Sequence, residues 1–150
     1  MFHTERTTSS NADFQALVGK LDRDLAQRDG EEHAFYAQFN RIDSLQHAVV
    51  VYLAGIPAGC GAMKAFDNET MEIKRMFTDP KFRKRGVARR VLEELETWAA
   101  ELAFAKCTLE TGINQPEAIS LYESCGYKRI TNYGQYAGVE GSRCFERTIK

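Results

Sequence analysis

Apolar residues recur every three or four positions in several parts of the chain, which is the spacing of an amphipathic helix. The first such part predicts a helix over 12–28, capped by Asn11. A long helix is predicted over 86–104 and a shorter one over 115–127. Residues 29–42 read as a turn followed by a further helix.

The middle of the chain reads as strands. Two β-rich runs, 48–53 and 60–66, flank a turn over Gly55 to Gly59 and predict a hairpin. A third run, 71–78, follows a second turn and ends before Pro80, because proline lacks the amide that a β-ladder needs. The simplest arrangement is three consecutive antiparallel strands.

Shorter β-rich runs occupy the last third of the chain, at 106–112, 127–133 and 142–149. The polar, Thr- and Ser-rich residues 1–11 predict a loose leader. With 150 residues, of which 43% are hydrophobic, one well-buried core and hence a single domain over 1–150 are expected.

Composition narrows the function classes. A net charge of −1 gives the whole molecule no attraction to nucleic acid or to an anionic membrane. The N-terminus is polar and no apolar run is long enough to span a bilayer, so a cytoplasmic protein is expected. The four cysteines and three histidines are too widely spaced for a metal site, so no metal and four packed, reduced thiols are predicted.

One local segment indicates a binding function. It is the cationic segment FRKRGVARR, residues 82–90, between the strand that ends at Thr78 and the long helix. Helix N-termini bind phosphate through free amides and the helix dipole, and Gly86 lets an anion approach the backbone. A solvated basic surface is the alternative. A P-loop would need lysine after the glycine, and a dinucleotide fingerprint would need two more glycines.

The spacing Arg83-x-x-Gly86-x-Ala88, preceded by EIKRMFTDP and followed by CTLETG and AISLYESCGY, resembles the acetyl-CoA motif of the Gcn5-related N-acetyltransferases, the GNAT family. The resemblance covers residues 47 to 130. It implies an α/β fold with a mixed, mostly antiparallel sheet of about seven strands, splayed between the fourth and fifth and flanked by about four helices. Acetyl-CoA would lie in the split, and CoA would be the product.

The resemblance also implies which residues contact acetyl-CoA. Backbone groups of the fourth strand would pair with pantetheine, and amides of the basic loop would hold the pyrophosphate. A side-chain amide before the last helix would bind pantetheine or the acceptor. Many relatives have asparagine at this position, where this chain has Gln115, preceded by Asn114. These residues are Met76, Phe77, Thr78, Arg83, Lys84, Arg85, Gly86, Val87, Ala88, Arg89, Asn114 and Gln115.

Three residues are the catalytic candidates. Tyr122 matches the family tyrosine that protonates the departing thiolate, although it could instead be a core tyrosine that packs behind the last strands. Glu72 aligns with a glutamate that serves as base in part of the family, although it could instead pair with Lys74 on the same strand face. Glu110 on the next strand is a second carboxylate, and many relatives use an ordered water instead. Tyr127 is expected to pack in the sheet.

The acceptor is predicted to be a small-molecule amine, with a free amino acid and a protein N-terminus left open. Its pocket would be built from residues around Phe35, Tyr36, Phe39 and Asn40, and from the segment 132–142, which reads as an aromatic flap, a surface hairpin loop or a contact with a second subunit. The expected activity is direct acetyl transfer to an amine without a covalent intermediate. An acetyl-CoA sensor without turnover is the alternative, and a homodimer is conceivable because relatives pair through their last strands.

Overall fold

A computed structural model describes residues 1–30 and 45–149, apart from the Asp29 side chain. This part of the chain contains seven strands and three α-helices. The helix predicted within 29–42 lies outside the described residues, and so do four predicted acceptor residues: Phe35, Tyr36, Phe39 and Asn40.

The seven described strands form one mixed sheet. They are β1 (Phe2–Thr7), β2 (His47–Leu53), β3 (Ile56–Ala65), β4 (Thr70–Thr78), β5 (Lys106–Gly112), β6 (Lys128–Ile130) and β7 (Ser142–Thr148). Their order across the sheet is β1-β2-β3-β4-β5-β7-β6. Every neighbouring pair is antiparallel except β4 and β5, which run parallel. The predicted α/β fold with a mostly antiparallel, seven-stranded sheet is confirmed.

Strand β1 corrects the prediction of a loose leader over residues 1–11. It pairs antiparallel with β2 from Phe2 opposite Leu53 to Thr7 opposite Ala48. A polar sequence can form this strand because β1 is an edge strand, which needs few apolar residues. Its side chains are held by charge instead, since Arg6 donates to Glu94 at 2.6 Å and pairs with Glu101 at 2.7 Å.

The turn between β2 and β3 is shorter than predicted. Only Ala54 and Gly55 join the strands, with φ of 52° and 80°, as a two-residue hairpin turn requires. Gly59 lies inside β3, where its role is close packing: a Cβ there would lie 2.5 Å from Val87 Cγ1. The missing side chain therefore lets the following helix approach the sheet near the end of β4.

Three α-helices cover the two faces of the sheet: α1 (Ala12–Asp29), α2 (Val87–Glu101) and α3 (Pro116–Ser124). The Asn11 side chain caps α1 by accepting the Phe14 amide at 2.9 Å, as predicted. The apolar side of α1 packs on one face, and α2 and α3 pack on the other. About four helices were expected, and three are described. None of these helices is long and apolar enough to cross a membrane. All four cysteines are buried, as predicted.

The sheet splits between β4 and β5. The two strands pair only from Thr70 opposite Lys106 to Ile73 opposite Leu109, and beyond this point they have no register. On its other edge β4 continues along β3 but contains a register shift, and Arg75 has a φ of 61°. A β-bulge of this kind bends a strand and increases its twist. The second half of β4 therefore leaves one row of backbone groups facing the split.

Candidate active site

The basic loop is anchored at its start by Asp79. This buried carboxylate accepts the Lys81 amide at 3.0 Å and so caps a 3₁₀ turn over Pro80–Phe82. Its other oxygen accepts a hydrogen bond from Lys20 Nζ on α1 at 2.6 Å. The hydrogen bond from Lys20 holds the pKa of Asp79 below its ordinary value. The loop therefore leaves β4 in a direction set by both the strand and α1.

Gly86 forms the entry to α2 and has a φ of 83°, in the left-handed region that favours glycine. Within the described ranges, no side chain caps the helix here, and a Cβ on Gly86 would meet nothing within 4 Å. The first amides of α2 therefore face open space beside the exposed cations Arg83 and Lys84. An uncapped helix N-terminus with free space and nearby positive charge is well suited to a phosphate group.

A groove of about 640 Å³, called the cofactor groove here, runs from this helix end along β4 to α3. It is bounded on α1 by Asp24 and Arg28 and on α3 by Glu117. Most of the predicted acetyl-CoA residues line it: Met76, Phe77, Thr78, Arg83, Lys84, Gly86, Val87, Ala88, Arg89 and Gln115.

Two predicted cofactor residues lie outside this lining. Arg85 is exposed on the loop, one position before the glycine. The carbonyl of Asn114 accepts a hydrogen bond from Arg28 Nη1 at 3.3 Å. Arg28 also pairs with Asp24 at 3.2 Å and with Glu117, so it links α1 to the start of α3 across the groove. Sequence reasoning missed Arg28, since nothing local marks a contact made 86 residues away.

A smaller cavity of about 80 Å³, called the inner cavity here, lies where β4 and β5 separate. The charged and phenolic residues of its lining come from β4, β5, α3 and the segment before β7. Helix α1 contributes apolar residues to the same lining. The ionisable residues are Glu72, Lys74, Arg75, Glu110, Tyr122 and Tyr136. The three predicted catalytic residues are thus brought together at one place, although β4, β5 and α3 are distant in sequence.

Tyr122 lines both the cofactor groove and the inner cavity. Its side chain is 6% exposed and packs beside Tyr127, with the ring centroids 6.1 Å apart. Burial, followed by the negative charge of Glu110, raises the pKa of Tyr122 above its ordinary value. The phenol is therefore protonated at neutral pH. Tyr127 packs in the core as predicted and donates its hydroxyl proton to Glu96 at 2.8 Å.

Glu72 is 4% exposed and accepts a hydrogen bond from the Tyr133 hydroxyl at 3.1 Å. No ion pair joins it to Lys74 within the described chain, so the alternative of a Glu72–Lys74 pair is not realised. Both residues nevertheless line the inner cavity. Burial lowers the pKa of Lys74.

The segment 132–142, called the flap here, turns its aromatic rings toward the protein. Tyr133 packs edge-on against Phe66 and Tyr136, with ring centroids 5.1 and 5.9 Å away. Tyr136 is 3% exposed and lines the inner cavity. Asn132 Nδ2 closes the flap at its base by donating to the Val139 carbonyl at 3.0 Å. Of the interpretations of this segment, the aromatic flap describes it better than a plain surface hairpin.

Comparisons with known proteins agree with this geometry. The model of the acetyltransferase (GNAT) family matches residues 14–127. The chain is 33% identical over 129 residues to an IAA acetyltransferase of Azospirillum brasilense, covering 80% of each protein. A crystal structure assigned as an acyl-CoA N-acyltransferase of Klebsiella pneumoniae superposes with a TM-score of 0.83 at 25% identity, covering 100% of this chain and 99% of that one. A GNAT acetyltransferase of Elizabethkingia anophelis with acetyl-CoA bound shares the fold, with a TM-score of 0.68 at 15% identity and coverage of 98% and 97%.

The chain therefore belongs to the GNAT family of acetyltransferases. It is an acyl-CoA-dependent N-acetyltransferase, and acetyl-CoA is its co-substrate. The uncapped N-terminus of α2 and the open space at Gly86 suit the phosphate groups of that molecule, and the groove between β4 and α3 adjoins them.

Proposed function

We propose that this protein transfers the acetyl group of acetyl-CoA directly to the amine of a small-molecule acceptor. Acetyl-CoA would occupy the cofactor groove and the acceptor would enter the inner cavity. The observation that carries the proposal is the position of Tyr122, whose buried side chain lines both spaces. A side chain on this boundary can reach both the thioester sulfur and the groups around the attacking amine.

The splayed half of β4 is our candidate for holding the pantetheine arm. Phe77 and Thr78 already pair with β3 on one edge, opposite Cys60 and Gly59. Among the described residues, the other edge of β4 has no strand partner after Ile73. An extended arm with amide groups can pair there as an added strand does. The amides of Arg83 to Ala88 would then receive the pyrophosphate, and Arg89 and Gln115 line the groove beside it.

The reaction needs a proton acceptor and a proton donor. The attacking amine must lose a proton, and the thiolate must gain one as the carbon–sulfur bond breaks. The raised pKa of Tyr122 keeps its phenol protonated, which suits a donor to the departing sulfur and excludes it as the base. No enzyme nucleophile is needed in direct transfer.

Glu72, Glu110 or a water between them would accept the proton of the amine. Glu72 is buried and is oriented by the hydroxyl of Tyr133. Glu110 stands on β5, across the split, and lines the same cavity.

A small acceptor is favoured by the shape of the inner cavity. The cavity measures about 80 Å³ and is bordered by α1 and by Tyr136 of the flap. Such a space takes a group of only a few heavy atoms, because a single water already needs about 10–15 Å³.

The test is acetyl-CoA consumption by the purified protein across amines, polyamines, amino acids and short peptides, measured by release of free thiol. IAA joins the panel because the Azospirillum brasilense relative is named for it. We expect thiol release with one class of small amines and an N-acetylated product by mass spectrometry. Acetylation of peptides alone would contradict a small acceptor, and an acetylated enzyme formed without acceptor would contradict direct transfer. Tight acetyl-CoA binding without turnover of any amine would favour the sensor instead.

A further inference from the structure

We propose that the acceptor is an amino acid or a similar amine with a carboxylate, and that Arg75 binds this carboxylate. The inference rests on the proposed function, since it assumes that the acceptor enters the inner cavity. Nothing in the sequence pattern distinguished Arg75, which lies in the middle of β4 between a lysine and a methionine.

The guanidinium of Arg75 is buried with unused hydrogen-bonding capacity. The side chain is 1% exposed, and Nη2 donates to Asp22 Oδ1 on α1 at 2.7 Å. Nε and Nη1 are fully buried and find no acceptor in the described part of the chain. Buried polar groups are almost always hydrogen-bonded, and an unsatisfied donor on a charged group is especially costly. These two nitrogens therefore call for an acceptor that the described chain does not supply.

The inner cavity is the space in which such an acceptor can stand. Arg75 is part of its lining, together with Glu72 and Glu110. The lining thus combines an arginine whose guanidinium has donors unpaired within the described chain with two carboxylates and a second cation, Lys74. An amino acid has the opposite arrangement, a carboxylate beside an amine, so it can satisfy Arg75 while its amine lies near the glutamates. Arginine is the residue type best suited to this task, because its planar N–H donors match carboxylate oxygens.

The backbone of Arg75 supports a specific role. Its φ of 61° lies in the left-handed region, which a residue with a long side chain rarely adopts. The register shift between β3 and β4 occurs at this bulge. Such strain persists where the surroundings require it and clusters at ligand sites. The bulge brings Arg75 to the split between β4 and β5, and a regular strand would have placed its side chain differently.

The first experiment uses the full-length protein with acetyl-CoA and matched sets of acceptors. Leucine is compared with leucinamide and 3-methylbutylamine, and phenylalanine with phenylalaninamide and phenethylamine. We expect kcat/KM for the amino acid to exceed that of its amide and its amine by at least about 100-fold, because a site built around a buried polar group rejects analogues that leave it unpaired. An amide or amine that reacts as well as its amino acid would overturn the inference and leave the proposed function intact. Failure of every amine would instead contradict the proposed function itself.

The second experiment separates carboxylate binding from a structural ion pair. Arg75→Gln removes the cation, whereas Asp22→Asn removes the ion pair and keeps the cation. We expect Arg75→Gln to raise KM for the preferred amino acid at least tenfold and to lower kcat/KM for the matching amide by a much smaller factor. Asp22→Asn should retain the preference for the carboxylate. Equal losses for amino acid and amide in both variants would show a structural role only and would overturn the inference. If Arg75→Gln does not fold, the comparison of amino acids with their amides and amines on the parent protein tests the inference by itself.

Discussion

Replacing Gly86 with glutamate should abolish acetyl-CoA binding while leaving the protein folded. The residue is exposed at the entry to α2, with a φ of 83°, and a Cβ there would meet nothing within 4 Å. The cost to stability is therefore backbone strain alone, about 1–2 kcal/mol for a side chain in the left-handed region. For a chain of this size that corresponds to a fall in Tm of about 2–8 °C.

The effect on binding should be far larger than the effect on stability. A carboxylate about 4 Å from a phosphate oxygen is repelled by about 4 kcal/mol at an effective dielectric constant of about 20. Since 1.4 kcal/mol is tenfold in affinity, the dissociation constant for acetyl-CoA should rise about 10³-fold. The repulsion should weaken as salt is added, because the site is open to solvent.

Isothermal calorimetry with acetyl-CoA measures this change, and Gly55→Glu is its matched control. Gly55 has a φ of 80° and the same open surroundings, but it lies in the turn between β2 and β3, outside the lining of the cofactor groove. The control should lose a similar amount of stability and keep the affinity of the parent. Parent-like affinity of Gly86→Glu, or an equal loss in both variants, would refute the assignment of the phosphate site to the entry of α2.

Three further predictions test other parts of the structure. Tyr122→Phe should lower kcat by about 10²-fold or more with little change in acetyl-CoA affinity, because only the proton donor is lost. Steady-state kinetics measure this change, and an unchanged kcat would show that the phenol is not the proton donor. Glu72→Gln should slow turnover most at low pH, where the acceptor amine is protonated and most needs a base, and a pH–rate profile parallel to that of the parent would leave Glu110 or water as the base. Asp79→Asn should lower the free energy of unfolding by about 1 kcal/mol at pH 7, a small figure because Lys20 is half exposed. The folded-state pKa of Asp79 lies below the ordinary 3.8, so its contribution is complete above about pH 5 and is lost as the pH falls through that lower value. Urea unfolding at pH 7 and at pH 3 should show this difference, and an equal loss at both pH values would contradict the role of the charge.

Local pattern was enough for the elements on which the cofactor groove is built. The helix predicted over 86–104 is present as α2, and the strand predicted over 106–112 matches β5. The segment proposed to bind phosphate could be located from the sequence as well, because a helix N-terminus, a glycine and the preceding cations occupy one short segment. Helix capping, hydrophobic periodicity and local charge depend on residues a few positions apart, so they can be predicted directly from the sequence.

The acceptor side of the site could be predicted only in part. Glu72, Glu110 and Tyr122 were identified one at a time, through the resemblance to the GNAT family. Arg75 was not identified, because an arginine inside a strand has no periodic signature, and Tyr136 was identified only as part of a segment that could have been an aromatic flap or a surface hairpin. Their importance follows from a bulge in one strand and from the way the flap folds over the split.

The sequence by itself predicted the class of most main elements, the cationic entry to α2 and the resemblance to an acetyl-CoA-dependent family, because each of these is carried by short segments of the chain. Only the tertiary structure decided that residues 2–7 complete the sheet, that β4 parts from β5 after Ile73, and that Arg75 lines the same cavity as two glutamates, with two donors unsatisfied within the described chain. Strand register, burial and the pairing of distant charges depend on contacts between residues far apart in the chain. The spacing of neighbouring residues does not encode them.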